Sequence, residues 1–297
     1  MIGPADVETD LQVISVDPCR DDRWAELARD HGGLFESPPW LASIRDAYGV
    51  RPEARIVIDG DGRSLAGMAA AVIDDGLGRR RSSLPFSDYT DPIGPAVDAN
   101  LDRLVVPLVD GPEPFAVRTR RSDLAGADPR LVERGRALLH HIDLAPEPDR
   151  LWSGLAGQAR QNVRRARSRG LTITASTERS ALAEFHEMHV ELRRQKYRML
   201  AQPVEYFDAL HRHLGSRLTV LTARHDGVAV AAFVLLRWGR TAYYKLGTST
   251  PAAGPLRASD ALMWHSIGFA RDEWGCSILD LGLSDADQSG LVRFKAK

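Results

Sequence analysis

Two stretches of the chain, residues 54–86 and 218–249, carry the same order of apolar and polar segments. Each has an apolar run, a turn with Asp-Gly, a longer apolar run, a second turn with glycine and a third run. Asp61-Gly62 and Asp226-Gly227 are typical of tight turns between paired strands, because the central turn positions favour residues that adopt positive φ. The pattern predicts two three-stranded antiparallel meanders. Internal duplication and chance likeness are equal alternatives, because such meanders are common.

The segments on either side of the second meander have helical periodicity. Residues 182–192 place leucine, phenylalanine and methionine on one face, and residues 203–214 predict a second helix. After the meander, Ser259 is placed to cap a third helix that ends before Gly275, and residues 277–283 predict a strand. By fold analogy, the order helix, helix, meander, helix, strand is that of a GNAT-type acyltransferase domain, although fold alone does not decide function.

The N-terminal half follows a similar plan. Residues 22–32 and 38–49 predict two short helices ahead of the first meander. Two prolines in residues 145–149 favour a linker. The sequence therefore predicts an α/β (α+β) protein with two domains, residues 1–145 and 146–297, each a mixed, mainly antiparallel sheet flanked by helices. The C-terminal domain is expected to carry the main site.

Composition limits the classes of protein to which these elements can belong. The chain has 297 residues, a formal net charge of −1, 43% hydrophobic and 27% charged residues, as in ordinary globular domains. No apolar run approaches the roughly 20 residues that span a bilayer, and the acidic N-terminus lacks the pattern of a secretory signal. A cytoplasmic protein without membrane insertion is therefore expected. Cys19 and Cys276 predict neither a disulfide framework nor a metal site.

Positive charge is concentrated in one segment of this nearly neutral chain. No Asp or Glu occurs between residues 151 and 177, a segment that contains Arg160, Arg164, Arg165, Arg167 and Arg169. Helical spacing places Arg160, Arg164 and Arg167 on one face and small apolar residues on another. One interpretation is a solvated basic face. The other is a phosphate-binding face, because guanidinium groups make paired hydrogen bonds to phosphate oxygens.

A second basic cluster lies within residues 193–198. Arg193 and Tyr197 are one helical turn apart and therefore share a face. The cluster is either an exposed helix end on which Tyr197 covers the core, or part of a binding surface. His186 and His189 are also close in sequence, but a third clear ligand is missing, so no metal site is expected.

Five segments in order resemble one protein family. They are "FESPPWLASIRDAYG", "SLPFSDYTDPIGPAVD", "DRLWSGLAGQARQNVRRARSRGLTI", "YYKLGTSTPAAGPLRASDALMWHSIGFARDEWGCSILDLG" and "SGLVRFK". Together they are similar to the FemAB-like, peptidoglycan bridge-forming branch of the GNAT superfamily. The resemblance covers most of residues 34–297 and is strongest in the C-terminal half. It implies two tandem GNAT-like domains.

The resemblance also implies a reaction. Fem-type enzymes transfer an activated acyl group, commonly an aminoacyl group from tRNA, to an amine of a cell-envelope precursor or a peptide-like metabolite. No tightly bound cofactor is implied; aminoacyl-tRNA is expected as co-substrate, an amine-bearing acceptor as partner, and a monomer as the oligomeric state. Two alternatives stay open. They are an acyl-CoA-dependent N-acyltransferase of polysaccharide or metabolite biosynthesis, and a non-catalytic phosphate- or RNA-binding protein.

The family motifs also imply particular site residues. The terminal Phe-Lys matches Phe294, which would line the acceptor groove, and Lys295, which would stabilise charge near the reacting centre. Arg193 and Tyr197 fit the spacing of a pair that binds acceptor phosphates.

Two further positions are candidates on the same grounds. A meander tyrosine that faces the site would be Tyr243 or Tyr244, and strand alternation allows only one of them; Tyr244 is the candidate. Asp98 completes a "GPxxD" pattern and is a candidate catalytic base, although Asp88 and Asp91 are equally placed as loop caps.

Residues 249–260 bear on the identity of the donor. CoA-using GNAT domains typically open the helix after the meander with a glycine-rich turn whose backbone N–H groups hold the pyrophosphate. Here "STPAAGPLRASD" contains Pro251 and Pro255, which have no N–H to donate. This favours a donor other than CoA. Phosphates of aminoacyl-tRNA would then be bound by the basic segment, through Arg160, Arg164, Arg165 and Arg167.

Overall fold

The computed structural model describes residues 10–285 and 289–297. The chain forms two compact units that divide between Arg134 and Gly135, whereas the sequence placed the boundary after residue 145. The difference arises because the first strand of the second unit, at residues 137–143, pairs with residues 278–285 of that same unit. Residues 145–149 therefore lie inside the second unit.

A five-stranded sheet forms the centre of the first unit. Its strands lie side by side in chain order, and all pairs are antiparallel except the last. The second, third and fourth strands form the predicted meander. The strands are β1 (Gln12–Val16), β2 (Arg51–Ile58), β3 (Ser64–Asp75), β4 (Gly78–Ser82) and β5 (Phe115–Ala116).

The turn between β2 and β3 shows why the sequence forms a hairpin there. Gly62 has φ 79°, a conformation that glycine adopts without steric cost. Asp59 Oδ1 accepts hydrogen bonds from the backbone N–H of Asp61 (3.0 Å) and of Arg63 (2.9 Å). The side chain thus satisfies donors that the turn leaves unpaired.

Helices cover the first sheet. They are α1 (Asp22–Asp30), α2 (Pro38–Tyr48) and α3 (Leu101–Val109); α1 and α2 correspond to the two predicted helices. Asp21 caps α1 by accepting from the N–H groups of Arg23 and Trp24. Trp24 is completely buried. A side chain at Gly67 on β3 would meet the Trp24 ring, so glycine permits the close approach of α1 to the sheet.

The second unit is built on a six-stranded sheet with the order β6-β11-β10-β9-β8-β7. The pair β10–β11 is parallel and the other pairs are antiparallel. Strands β8 to β10 form the second predicted meander. The strands are β6 (Ala137–Asp143), β7 (Thr172–Ser176), β8 (Leu218–His225), β9 (Val228–Trp238), β10 (Thr241–Ser249) and β11 (Ile278–Asp285).

Seven helices accompany this sheet in the described part of the unit. Helix α6 packs on β8, β9 and β10, α7 packs on β8, and α9 packs on β8 and β9 and contacts α5. The fold class is therefore the predicted one: in each unit a mixed, mainly antiparallel sheet is flanked by helices. The helices are α4 (Pro148–Gly154), α5 (Gly157–Ser168), α6 (Arg179–Leu192), α7 (Val204–Leu214), α8 (Ala253–Leu256), α9 (Ala258–Gly268) and α10 (Ser289–Lys295).

Two helix ends test the cap predictions. Helix α5 ends at Ser168, two residues before Gly170, which has φ 74°. The predicted cap of α9 by Ser259 is wrong. That helix begins at Ala258, and the capping position is Arg257 in the left-handed region at φ 59°, because the short helix α8 directly precedes it.

Candidate functional site

A gap between two neighbouring strands opens the second sheet. Strands β10 and β11 pair only over Thr241–Tyr243 and Ile278–Asp280. Beyond Tyr243, β10 has a register shift between Tyr244 and Leu246 and continues beside β9, while β11 continues beside β6. Because a bulge bends its strand, the two strands separate here.

Tyr244 lies at the point where the strands separate. Its ring packs edge-on against Phe233 with ring centroids 4.6 Å apart, and its hydroxyl lies over Gly247, where a Cβ would clash with it. Burial raises the pKa of Tyr244, and the nearby Tyr197 hydroxyl adds to the increase in pKa. Tyr244 is therefore a neutral phenol held in place by packing. Tyr243, its neighbour, is almost fully buried.

Arg193 and Tyr197 lie together on a π-helical turn, Arg193–Tyr197, that continues α6. The Arg193 guanidinium lies 5.8 Å from the centroid of the Tyr197 ring, and its Nε donates to Leu200 O at 3.2 Å. Tyr197 is 49% exposed. Helix α6 packs on β10, and Tyr197 is near enough to raise the pKa of Tyr244; Arg193, Tyr197 and Tyr244, three of the four predicted substrate-binding residues, thus lie in one region.

Lys295 and Phe294 reach the same sheet from α10. Lys295 Nζ donates to Leu283 O at 2.8 Å and to Gly282 O at 3.3 Å, so the ammonium group lies on β11 just past its bulge. Phe294 packs against the hydrophobic cluster that Tyr244 also contacts. These contacts give Lys295 a fixed position, which a charge-stabilising group needs.

Asp98 belongs to the first unit. Its side chain is 86% exposed and accepts a hydrogen bond from Arg121 at 2.6 Å; Arg121 also pairs with Asp123. These contacts tie Asp98 to a local ion-pair cluster. The catalytic role of Asp98 stays a prediction.

Helix α5 uses two of its arginines to hold α4. Arg160 Nη1 donates to the backbone oxygens of Ser153 (2.7 Å) and Leu155 (2.6 Å), at the end of α4 where carbonyl groups lack intrahelical partners. The Arg164 guanidinium lies 5.5 Å from the centroid of the Trp152 ring. The sequence predicted that both arginines are either solvated or bound to phosphate. It did not predict their contacts with α4.

Arg165 and Arg167 are exposed on the same helix. Neither forms an ion pair with any residue within 10–285 or 289–297. The positive charge of Arg167 extends to His265, whose pKa is lowered mainly by burial and further by this guanidinium. The two arginines are two positions apart on α5 and therefore project from different sides of the helix.

The N-terminal turn of α9 lies against α5. Asn162 Nδ2 donates to Asp260 Oδ2 at 2.9 Å, and Lys297 Nζ lies 3.1 Å from Asp260 Oδ1. A carboxylate therefore occupies the first turn of the helix, where a pyrophosphate would otherwise benefit from the helix dipole. The sequence drew attention to Pro251 and Pro255 in this segment. The position of the Asp260 carboxylate was not predicted, because its partners Asn162 and Lys297 are distant in sequence.

Two other types of site have no counterpart among residues 10–285 and 289–297. Within that part of the chain, no group of three or more His, Cys, Asp or Glu side chains is arranged to hold a metal ion; His186 and His189 both contact Gln202. The helices of this part of the chain lack the length and the continuous apolar surface that a membrane-spanning helix requires.

Comparison with known families identifies the second unit. Residues 155–295 match the family described as "Acetyltransferase (GNAT) domain". The second unit therefore resembles a GNAT domain over most of its length. The match supports acyl transfer as the reaction class. The comparison with curated proteins finds no match.

Solved structures extend the likeness to the whole chain. The structure of FemX has a TM-score of 0.70 at 13% identity and covers 96% of this chain and 93% of its own. L-PGS from Bacillus licheniformis has a TM-score of 0.57 at 15% identity, covering 93% and 79%. A tandem GNAT protein from the clavulanic acid biosynthesis pathway has 0.54 at 15%, covering 97% and 94%. The chain therefore has two tandem GNAT-like domains and the fold of the FemAB-like branch, as the sequence predicted.

Proposed function

We propose that the protein forms amide bonds by moving an aminoacyl group from aminoacyl-tRNA to an amine of a cell-envelope precursor or peptide-like metabolite. The observation that carries the proposal is the contact between α5 and α9. The hydrogen bond from Asn162 to Asp260 holds the arginine helix beside the N-terminal turn of α9, which is the donor side of a GNAT domain. Arg165 and Arg167, exposed on that helix, suit a polyanionic donor such as tRNA.

The same turn of α9 supports a donor other than CoA. Asp260 puts negative charge where the pyrophosphate of CoA would lie, and Pro251 and Pro255 remove backbone donors from the preceding loop. A polynucleotide can bind through phosphates farther along α5 and does not require this turn.

The reaction requires no nucleophile from the protein. The acceptor amine, deprotonated, attacks the ester carbonyl; the C–N bond forms, the ester C–O bond breaks, and the ribose hydroxyl of tRNA leaves with a proton. In this mechanism the Lys295 ammonium stabilises the oxyanion, an effect of up to a few kcal/mol in a site that excludes water. Arg193 and Tyr197 bind an anionic group of the acceptor, and Tyr244 and Phe294 line its path. Asp98 is a further candidate for the proton acceptor.

An acyl-CoA donor is the second candidate function. It is favoured by the description of the matched family as an acetyltransferase domain. Under this candidate the thioester C–S bond breaks in place of the ester C–O bond, and the same amine attacks. The two candidates differ in which donor the protein binds and consumes.

Incubation with total aminoacylated tRNA and, separately, with a panel of acyl-CoA thioesters tests both. Loss of the acyl group, followed by mass spectrometry, is expected for tRNA and not for CoA. Filter binding should show an affinity for tRNA that falls steeply with salt. The Arg165→Glu/Arg167→Glu double variant should weaken binding about tenfold or more, while Arg63→Glu, an exposed arginine of the first unit, serves as matched control. Binding that is equal in all three proteins contradicts the role of the arginine helix.

A further inference from the structure

The segment that connects α6 to α7, residues 194–204, exposes apolar side chains to solvent. Met199 is 57% exposed and Leu200 is 92% exposed. Val204, the first residue of α7, is exposed as well. Single exposed apolar side chains are ordinary on a protein surface. Three of them within six residues are typical of a surface that contacts an apolar partner.

Hydrogen bonds to α6 and its π-helical turn hold the segment in place. The backbone oxygen of Gln202 lies 3.1 Å from His186 Nε2, and its side-chain Oε1 lies 2.7 Å from His189 Nε2. Arg193 Nε donates to Leu200 O at 3.2 Å. The backbone is therefore tied to the helix while the apolar side chains remain in water.

Positive charge accompanies these apolar groups. Residues 191–205 contain four basic and two acidic side chains. Glu191 is paired with Arg194 at 2.7 Å, so this pair adds no net charge. Lys196 and Arg198 are both exposed, and neither forms an ion pair with a residue that the structure describes.

The surroundings of Lys196 and Arg198 leave their charges uncompensated. Lys196 Nζ lies 5.3 Å from the centroid of the Tyr197 ring, and an aromatic ring attracts a cation without cancelling its charge. Glu205, the second acidic residue, is exposed on α7 and pairs with neither cation. Arg193 is not counted here, because the proposed reaction already uses it.

This combination suits the surface of an anionic lipid bilayer. Aliphatic side chains gain by leaving water for the acyl boundary, and lysine and arginine are attracted to anionic headgroups. RNA fits less well, because nucleobases stack on aromatic rings, whereas Met199, Leu200 and Val204 are aliphatic. A second copy of the chain fits poorly too, because a two-fold interface would bring the same cations together.

We propose that residues 194–204 dock on an anionic lipid bilayer, with Met199 and Leu200 entering the interface and Lys196 and Arg198 contacting headgroups. The contact is peripheral and does not cross the bilayer. It goes beyond the proposed reaction and does not depend on which acyl donor the protein uses.

Co-sedimentation with sucrose-loaded vesicles tests the proposal. One set of vesicles contains equal parts of phosphatidylglycerol and phosphatidylcholine, and the other contains phosphatidylcholine alone. The full chain is expected to bind the anionic vesicles at least about tenfold tighter than the neutral ones. Binding to the anionic vesicles should weaken as the salt concentration rises, because salt screens the charges of the exposed cations.

A matched pair of leucine variants tests the apolar part of the surface. Leu200→Ser should weaken binding to anionic vesicles about fivefold or more, because the serine side chain gains little by leaving water. Leu77 is 90% exposed in the turn between β3 and β4, and Leu77→Ser should bind as the unchanged protein does. Circular dichroism checks that both variants keep the fold.

A matched pair of charge variants tests the basic part. Lys196→Glu/Arg198→Glu should weaken binding to anionic vesicles about tenfold or more. The control Arg63→Glu/Arg103→Glu has the same net charge and alters exposed residues of the first unit. It should change binding by less than about threefold.

The proposal is overturned if the full chain fails to sediment with anionic vesicles at about 5 mM lipid, if it binds both kinds of vesicle equally, or if either variant of the segment binds as the unchanged protein does. It is also overturned if Lys196→Glu/Arg198→Glu weakens tRNA binding as much as vesicle binding, since the segment would then be a general polyanion surface. A dimer in sedimentation velocity that Leu200→Ser dissociates would assign the surface to a second copy of the chain and overturn the proposal as well.

Discussion

Glu36 is almost fully buried in the first unit, with 2% of its surface exposed. Its carboxylate oxygens accept hydrogen bonds from the backbone N–H of Gly33 (2.9 Å) and of Asp91 (3.1 Å). Burial outweighs these bonds and raises the pKa of Glu36 from 4.5 to about 7. The neighbouring Asp91 carboxylate raises the pKa of Glu36, and the Arg120 guanidinium lowers it. Arg120 is paired with Asp91 at 2.6 Å.

This pKa predicts how the stability of the first unit depends on pH. Below pH 4.5 Glu36 is protonated in both folded and unfolded chains. As the pH rises from 4.5 to about 7, the unfolded chain releases the proton while the folded chain retains it, so the free energy of unfolding falls. Each unit of pKa difference corresponds to about 1.4 kcal/mol, so the loss is about 3 kcal/mol and is complete above about pH 7.

Glu36→Gln isolates this contribution because glutamine does not titrate. The amide keeps only one of the two oxygen acceptors of Glu36. This lost hydrogen bond changes the free energy of unfolding of the variant by an amount that does not depend on pH. Urea unfolding of both proteins between about pH 4.5 and 8 is expected to give a stability difference that changes by about 3 kcal/mol in favour of the variant as the pH rises. Glu26→Gln, an exposed glutamate on α1, is the matched control.

Parallel stability curves for wild type and Glu36→Gln would refute the reasoning. They would mean that the folded chain does not hold a proton on Glu36, and that the two backbone hydrogen bonds outweigh the cost of burying the carboxylate. A change of opposite sign would place the pKa of Glu36 below 4.5 in the folded chain.

Three further substitutions have expected outcomes. Gly247→Ala places a Cβ against the Tyr244 hydroxyl and should destabilise the fold by about 1–3 kcal/mol in urea unfolding; an unchanged midpoint contradicts this packing. Lys295→Met should lower turnover by about tenfold to a thousandfold with donor binding retained, and normal turnover removes Lys295 from the mechanism. Arg160→Met deprives the last carbonyls of α4 of their donor and should cost about 1–2 kcal/mol, whereas Arg63→Met should cost little.

The sequence predicted the elements whose signals are local. The turn at Asp226 and Gly227 forms with φ 50° and 79°, as an Asp-Gly pair between apolar runs requires. Helix α5 buries Ala159, Val163 and Ala166, the face that its spacing predicted. In each case the deciding residues lie within a few positions of one another, and neighbouring elements do not change the outcome.

Contacts between distant residues could not be predicted in this way. Even the nearby contact of Arg160 with the end of α4 depends on the angle between two helices, which the sequence does not show. His140 and Lys295 share a cavity although they are far apart in the chain, and only the sheet order brings them together. Candidate residues of the site were predicted one by one, whereas their arrangement depends on tertiary packing.

The pairing of β6 with β11 has a consequence for synthesis of the chain. Strand β6 leaves the ribosome as the first strand of its unit, yet its only neighbour in the described sheet is β11, which follows the four strands β7 to β10. Until then β6 exposes unpaired backbone groups at both edges, and closing so long a loop slows folding. Translation must therefore pass β11 before the second sheet can be completed, so the nascent unit carries an unpaired strand while about 140 further residues are added.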